Sequence, residues 1–228
     1  MRPWTGRVVL VTGPTGGLGG AFARAAARRG ATLVLAGRHM RQVERLLDEV
    51  IELGGTDSAI YPINFEGASP LDYEQLAATV ERECGRLDVL VHAAAQFEGL
   101  ISIEEIGAES WLKPFQVNCH AAQWLTQTTL SMLLASKGQI VFPLEDEERI
   151  QRPFWNAYGA SKAALATMAR HYAEELESRS VRVHEFRPGP MRTALRAKAY
   201  FGEDSNTVPL ADSKLPPLFA AMDAHWAR

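Results

Sequence analysis

Residues 11–30 read VTGPTGGLGGAFARAAARRG, and the spacing of the glycines in this stretch decides the fold. Gly13, Gly17 and Gly19 follow a valine-rich strand pattern and open a helical pattern. Glycine permits a tight turn and lets the backbone approach a ligand, while the following helix N-terminus offers free N–H groups to an anion. The stretch predicts a cradle for the pyrophosphate of a dinucleotide, with a tight turn that holds no ligand as the alternative.

Short aliphatic runs alternate with longer helical patterns along the whole chain. Because the runs are apolar on both faces, they predict a parallel sheet with helices on each side. Right-handed crossovers then give a doubly wound α/β fold that binds ligands at the carboxyl ends of its strands. At 228 residues, we expect a single dinucleotide-binding domain over residues 1–228. The expected strands are RVVLVTG (7–13), ATLVLAG (31–37), SAIYPI (58–63), LDVLVHA (87–93), GQIVF (138–142) and VRVHEFRP (181–188).

Composition and charge exclude several classes of function. The net charge of −3 gives no electrostatic footprint for nucleic acid. Only Cys84 and Cys119 occur, far apart and without metal-ligand spacing, so we expect neither a disulfide framework nor a metal site. We find no signal-peptide pattern and no apolar run of membrane-spanning length, and expect a soluble, cytoplasmic protein.

The residue after the second expected strand bears on the choice of cofactor. An acidic residue there would bond the ribose 2′-hydroxyl of NAD, but the sequence offers Gly37 and Arg38. A guanidinium suits a 2′-phosphate, which predicts NADP(H). A surface arginine at a strand end is the alternative.

Tyr158 and Lys162 lie four residues apart in the helical pattern NAYGASKAALATMARHYAEELE (156–177) and therefore share one helix face. A nearby ammonium favours the ionised phenol and lowers its pKa, so Tyr158 could exchange a proton with a carbonyl or an alcohol. Two outward residues on an amphipathic helix are the alternative, but the position after the fifth strand of a dinucleotide fold favours catalysis.

The motifs TGPTGGLG (12–19), LDVLVHAAA (87–95), VN (117–118), YGASK (158–162) and RPGPMRT (187–193) together resemble the short-chain dehydrogenases/reductases from about residue 6 to residue 196. The resemblance implies a Rossmann fold, with Tyr158 as general acid/base and Lys162 as the residue that lowers its pKa and holds the nicotinamide ribose. Asn118 resembles the asparagine that anchors a proton-relay water. The cofactor-binding positions that the resemblance and the cradle imply are Gly13, Thr15, Gly17, Leu18, Gly19, Arg38, Asn64, Phe65, Ala94, Lys162, Pro188, Gly189 and Thr193.

The family's catalytic serine falls at Glu145, thirteen residues before Tyr158, and no serine or threonine lies between Lys137 and Tyr158. Losing that hydrogen-bond donor costs about 3 kcal/mol of transition-state stabilisation. An ionised Glu145 would also raise the pKa of the phenol, whereas a protonated one could itself donate to an oxyanion. Alternatively, residues 145–148 (EDEE) form a solvated acidic turn that faces away from the cofactor.

Three smaller departures lie near the expected cofactor. His92 and Ala95 fall in a segment where the family has asparagines and a glycine, and we expect His92 to be a strand-end or core residue. Asn64 stands where an aspartate usually receives the adenine amino group, and its amide oxygen can still accept that bond.

The C-terminal part of the chain is less regular. Residues 194–208 mix apolar, charged and turn residues, as a loop over a substrate would. Relatives add a seventh strand beside the sixth, whereas this sequence reads as ending in a helix, so we expect six strands and an open edge. We expect a homodimer formed through the helices 109–136 and 155–179.

The leading hypothesis is an NADP(H)-dependent oxidoreductase that moves hydride between nicotinamide and a small carbonyl or alcohol, with Tyr158 as proton donor. The alternative is a non-catalytic or weakly active NADP(H)-binding sensor or scaffold, because the serine is absent. A structural protein without a ligand would make the cradle glycines and Arg38 coincidences.

Overall fold

The computed structural model describes residues 2–227 and contains one sheet of six parallel strands in the order β3-β2-β1-β4-β5-β6. The doubly wound α/β prediction is therefore confirmed: β2 and β3 extend the sheet on one side of β1, and β4 to β6 extend it on the other. The strands are β1 Val8–Thr12, β2 Thr32–Gly37, β3 Ala59–Pro62, β4 Val89–His92, β5 Gln139–Pro143 and β6 Arg182–Phe186.

Helices cover both faces of this sheet. They are α1 Gly17–Arg28, α2 Met40–Glu52, α3 Pro70–Cys84, α4 Ala108–Phe115, α5 Ala121–Ser136, α6 Glu147–Ile150, α7 Asn156–Glu177, α8 Ala194–Ala199 and α9 Pro216–Trp226. Two short 3-10 turns, Ser205–Thr207 and Ala211–Lys214, connect α8 to α9.

The core has two layers because successive strand residues point to opposite faces. In β1, Leu10 packs in the layer formed with α3, α5 and α7. Its neighbours Val9 and Val11 pack in the opposite layer, with α1, α2 and α9. The central strands are buried on both faces, as their apolar runs predict, but the edge strand β3 is partly exposed.

The start and end of α3 illustrate how local sequence sets the helix boundaries. Ser69 and Asp72 form a capping box at its N-terminus, with Pro70 as the first helical residue. Gly85 ends the helix in the left-handed conformation at φ 69°.

A π-helical turn, Gln116–His120, joins α4 to α5 without a break in the chain direction. Such a turn inserts an extra residue into the helix and is frequent at functional sites. Asn118 lies within it and is buried.

Residues 194–208, which we expected to be a loop, contain α8 and a 3-10 turn. Thr193 accepts a hydrogen bond from Arg196 N (3.1 Å) and caps α8, and Asp204 caps the 3-10 turn by accepting from Asn206 N (2.9 Å). Asp204, one of the polar residues that suggested a loop, is therefore the N-cap of a short helix.

Among the described strands, β6 pairs with β5 alone, and its other edge is open. A groove of about 1360 Å³ lies beside it and is lined by residues of α7, β6 and α9. None of the described helices is both long and apolar enough to cross a membrane.

Candidate active site

A cavity of about 440 Å³ opens at the carboxyl ends of the strands, where the fold predicts a ligand site. The glycine loop after β1 and Arg38 after β2 form one end of it. Glu145, after β5, and Tyr158 on α7 form the other end. The cavity therefore brings residues from distant parts of the sequence to one edge of the sheet.

The glycine loop is shaped by backbone contacts that leave no room for side chains. Gly13 has φ +60°, and a Cβ atom there would lie 2.5 Å from the Ala94 Cα atom. Gly19 packs against the Gly13 carbonyl. Within the described residues, α1 begins without a side-chain cap and without an acidic residue in its first turn. Its first N–H groups therefore remain for an anion, and the loop fits a pyrophosphate.

The end of the cavity beyond β2 is formed by Arg38 and its neighbours. Arg38 Nη1 lies 2.5 Å from Glu66 Oε1 and donates to Asn64 Oδ1 at 3.3 Å, while Arg38 Nε donates to His39 Nε2 at 3.3 Å. Asn64 Oδ1 also accepts from Glu66 N at 3.2 Å. The Arg38 guanidinium is thus paired with Glu66, an acidic residue that the sequence analysis did not single out.

Tyr158 and Lys162 are both buried in the cavity wall, at 3% and 5% exposure. Phe97 and Trp155 pack against the Tyr158 ring, at centroid distances of 4.9 and 5.7 Å. Lys162 Nζ donates to Pro143 O at 2.7 Å. Phe97 and Trp155 thus fix the Tyr158 ring, and the end of β5 fixes Lys162.

Burial dominates the protonation of this pair. Burial raises the pKa of Tyr158 well above its usual value. The nearby positive charge of Arg149 lowers the same pKa, but by less. Burial, and secondarily the charge of Arg149, lowers the pKa of Lys162 to about 8. Burial therefore outweighs the neighbouring charges at Tyr158, and the role of Lys162 in lowering the Tyr158 pKa stays a prediction.

Glu145 lies directly against the Tyr158 hydroxyl, which donates to Glu145 Oε1 at 2.5 Å. Its other oxygen forms an ion pair with Arg149, four residues further along the chain. The side chain of Glu145 is 19% exposed, so the interpretation of residues 145–148 as a turn facing away is wrong for Glu145. It holds for Asp146, Glu147 and Glu148, which are exposed around the start of α6.

Asn118 lies behind the cavity wall. Its Nδ2 donates to Gln96 O (3.1 Å) and Ser161 Oγ (2.9 Å), and its Oδ1 accepts from Gln96 N (2.7 Å). Its amide therefore fixes the loop after β4, and both of its amide hydrogens are engaged. The role of Asn118 as the anchor of a relay water stays a prediction.

Two residues at the ends of β1 and β4 support the cavity. His92 is buried, hydrogen-bonds Thr126 Oγ1 through Nε2 at 2.9 Å and packs against Phe142 with the rings tilted by 30°. Burial, and secondarily the charge of Lys162, lowers the pKa of His92 to about 3, so the ring is neutral. Thr12 Oγ1 donates to Val91 O at 3.2 Å and accepts from Ala94 N at 3.1 Å, which fixes the path of the loop after β4.

The structure brings most of the expected site residues to the cavity wall and leaves three outside it. Gly19 lies beneath the glycine loop, Asn118 lies behind the wall and Gly189 occupies a turn at φ +70°. The lining residues that we expected are Gly13, Thr15, Gly17, Leu18, Arg38, Asn64, Phe65, Ala94, Glu145, Tyr158, Lys162, Pro188 and Thr193.

Sequence reasoning missed Glu66 and Gln96, as well as Arg149, which contacts Glu145 without lining the cavity. The spacing of Arg149 four residues after Glu145 was the one available signal, since it permits an ion pair on a helical turn.

Comparison with known proteins identifies the family of this chain. The family model for short chain dehydrogenases matches residues 7–203, and the chain belongs to this family. It is 34% identical over 199 residues to the uncharacterized oxidoreductase YciK of Escherichia coli K12, covering 87% of this chain and 79% of that protein. It is 31% identical over 194 residues to the dehydrogenase/reductase SDR family member 4 of Bos taurus, covering 85% and 68%.

Solved structures share the whole architecture. A structure from Shigella flexneri 2a strain 301, complexed with NADP, superposes with a TM-score of 0.91 at 30% identity, covering 97% of this chain and 92% of that one. A structure from Escherichia coli CFT073, complexed with NADPH, gives a TM-score of 0.90 at 31% identity, covering 97% and 92%. The protein is thus a Rossmann-type oxidoreductase by family.

Proposed function

We propose that this protein is an NADP(H)-dependent oxidoreductase that interconverts a small carbonyl compound and its alcohol, with Tyr158 as the general acid/base. One observation carries the proposal. Tyr158 and Lys162 are buried in the wall of the same cavity whose far end is formed by the glycine loop and Arg38. A nucleotide bound along this cavity would place its nicotinamide end toward the phenol.

The cofactor would be held by the glycine loop at the pyrophosphate, by Arg38 at the 2′-phosphate and by Lys162 at the nicotinamide ribose. When bound, it supplies or removes the hydride. Arg38 supports NADP(H) over NAD(H) because a guanidinium binds phosphate through two or more charge-assisted hydrogen bonds. Two relatives of known structure bind NADP or NADPH, which agrees with this choice.

The residues of the chain itself handle the proton and the surroundings of the reacting carbon. Tyr158 gives its proton to the carbonyl oxygen in reduction and takes it from the hydroxyl in oxidation. Phe97 and Leu195 line the cavity near Tyr158 and exclude water from it. Lys198 on α8 also lines the cavity and donates to Phe97 O at 3.4 Å, which supports a role for α8 in shaping the substrate pocket.

Titration calorimetry with NADPH and then NADH tests the cofactor assignment before any substrate is known. We expect micromolar or tighter binding of NADPH and binding of NADH at least tenfold weaker. A screen of small carbonyls that follows NADPH oxidation then tests the activity. Binding of neither nucleotide, or tighter binding of NADH, contradicts the assignment.

A second candidate, a non-catalytic NADP(H)-binding sensor or scaffold, is favoured by one observation. The Tyr158 hydroxyl donates to Glu145, and Glu145 stands where a hydroxyl donor would serve a substrate oxygen. The substitution Glu145→Ser discriminates the two. A variant that gains activity on simple carbonyls while the wild type has none supports the second candidate, and an active wild type excludes it.

A further inference from the structure

The Tyr158 hydroxyl and the Glu145 carboxylate form a short hydrogen bond that connects the buried part of the cavity to its surface. The distance between Tyr158 Oη and Glu145 Oε1 is 2.5 Å. Tyr158 is 3% exposed, while the side chain of Glu145 is 19% exposed. A proton that leaves the phenol can therefore reach water through one carboxylate.

Arg149 holds that carboxylate in place. It pairs with the second oxygen of Glu145, and its guanidinium carbon lies 5.4 Å from the centroid of the Trp155 ring. Its side chain is 17% exposed, and its Nε atom has no hydrogen-bond partner among residues 2–227. The cation favours the ionised form of Glu145, because an opposite charge at contact stabilises a carboxylate.

We propose that Glu145 is the proton acceptor of Tyr158 in alcohol oxidation and its proton donor in carbonyl reduction, and that Arg149 is its positioning residue; the proposal rests on the proposed oxidoreductase function. In oxidation, the substrate O–H bond breaks and its proton bonds to Tyr158 Oη. The Tyr158 proton passes to Glu145 Oε1, and the hydride on the substrate carbon leaves to the oxidised nicotinamide dinucleotide. Glu145 then releases the proton to water. Reduction runs the same transfers in reverse.

The neighbouring polar groups offer no comparable route in this arrangement. Both amide hydrogens of Asn118 are engaged by Gln96 and Ser161. Lys162 is buried and donates to the Pro143 carbonyl. Among these groups, Glu145 is the one that touches the phenol oxygen and also faces solvent.

A relay also explains how Tyr158 can accept a proton although it is buried. A phenol that must ionise by itself is a poor base when burial raises its pKa. A phenol that passes its proton to a carboxylate as it receives another never carries a full charge. Oxidation then requires an ionised Glu145, not an ionised Tyr158.

The first experiment uses the protein without cofactor or substrate. Phenolate absorbance is measured as a function of pH for the wild type and for Glu145→Gln. The Tyr158 signal is the difference between each of these proteins and the same protein that also carries Tyr158→Phe. We expect Tyr158 to ionise at least about one pH unit lower in Glu145→Gln, because a negative charge at its hydroxyl is removed. Glu148→Gln, an exposed neighbour, is the control and leaves the titration unchanged. Glu145→Ser repeats the test if Glu145→Gln does not fold by circular dichroism. An unchanged Tyr158 titration overturns the proposal.

The second experiment measures the pH profile of kcat/KM for alcohol oxidation. In the wild type we expect the acid limb in the carboxylic acid range. In Glu145→Gln it moves at least about two pH units upward, because the phenol must then ionise itself. Arg149→Met moves the limb upward by about one unit, because the carboxylate loses its cation, and Arg149→Lys largely restores it. A purely structural role for Arg149 would lower the rate without moving the limb.

The outcomes separate the relay from the underlying function. A wild type that oxidises alcohols, together with an unmoved acid limb in Glu145→Gln, overturns the relay and leaves the proposed function intact. A wild type that turns over no substrate overturns both. The titration of the cofactor-free protein then still decides whether Tyr158 and Glu145 are paired.

Discussion

The guanidinium of Arg38 lies 2.5 Å from the carboxylate of Glu66 at the end of the cavity beyond β2. The side chains of Arg38 and Glu66 are 39% and 19% exposed, so solvent screens the pair in part and it contributes little to stability. A phosphate group could therefore replace Glu66 as the partner of Arg38 at small cost. The pair keeps the guanidinium at the cavity until a nucleotide binds.

Substitution of Arg38 should weaken the binding of NADPH more than the binding of NADH. We expect Arg38→Ala to raise the Kd for NADPH by about 10- to 100-fold, since hydrogen bonds to charged groups contribute about 1.5–3 kcal/mol. The Kd for NADH should change less than threefold. Arg41→Ala, on the exposed part of α2, is the matched control, and calorimetry is the measurement. Equal losses for both nucleotides would show that Arg38 does not contact a 2′-phosphate.

Removal of the Tyr158 hydroxyl should strongly reduce turnover and leave NADPH binding almost unchanged. In Tyr158→Phe we expect kcat to fall by at least about 10²-fold, the usual contribution of a general acid/base. The ring still packs against Phe97 and Trp155, so the fold should be retained. NADPH affinity, measured by calorimetry, should stay within about threefold. Wild-type turnover in the variant contradicts the assigned role.

The turn at Gly13 should tolerate no side chain. Gly13→Ala combines a positive φ with a Cβ atom 2.5 Å from the Ala94 Cα atom. We expect a loss of at least about 2 kcal/mol in the free energy of unfolding, measured by urea denaturation. Gly67→Ala is the control, because its Cβ would have no neighbour within 4 Å, and it should change stability by less than about 0.5 kcal/mol. Equal effects at both positions would contradict the close approach at Ala94.

Acid should destabilise the fold through two histidines, His92, which is buried, and His184, which is partly buried. The pKa is lowered to about 3 in His92 and to about 4 in His184, chiefly by burial in both. Between these values and the unfolded pKa of about 6.5, the unfolded chain binds more protons, so stability falls as pH falls. Each histidine contributes at most about 1.4 kcal/mol per pH unit in that range.

The variant His92→Gln isolates one of these contributions. Between pH 4 and 6, we expect the slope of unfolding free energy against pH to decrease by up to about 1.4 kcal/mol per unit, as measured by urea denaturation at each pH. His171→Gln, on the exposed face of α7, is the control. An unchanged slope in His92→Gln would mean that His92 becomes protonated in the folded protein.

Trp111 and Leu112 give the expected homodimer a specific test. They are 42% and 63% exposed on α4, inside the segment 109–136 that we expect at the interface. We expect a dimer by light scattering at micromolar concentration, and a monomer for Leu112→Glu, because a buried unpaired charge opposes association. Leu71→Glu, equally apolar and 58% exposed on α3, should remain a dimer. A tetramer, or a wild-type monomer, contradicts the expectation.

The sequence predicts the sheet and much of the cavity because those signals are local. The alternation of Val9, Leu10 and Val11 between two core layers follows from strand geometry, and the position of Gly13 after a strand predicts the turn. The position of Arg38 at the edge of the cavity follows in the same way, since all parallel strands end at one edge.

The protonation of the site depends on tertiary contacts and could not be predicted. In the run of four acids at residues 145–148, one side chain turns inward and three face water. The choice depends on the ion pair with Arg149 and on the depth of Tyr158. The degree of burial of Tyr158 and Lys162 could not be predicted either, because it is set by Phe97, Trp155 and the end of β5.

The π-helical turn at residues 116–120 lies between α4 and α5, which follow one another without a gap. It changes the direction in which the side chains of α5 point relative to those of α4. Each residue of an α-helix advances the side-chain direction by about 100°. The extra residue lets α4 face α7 while α5 faces α3. Deletion of a single residue in this turn, such as Cys119, would restore one continuous phase and rotate one half of the segment away from its partner. The length of this turn is therefore constrained more tightly than the identity of most of its residues.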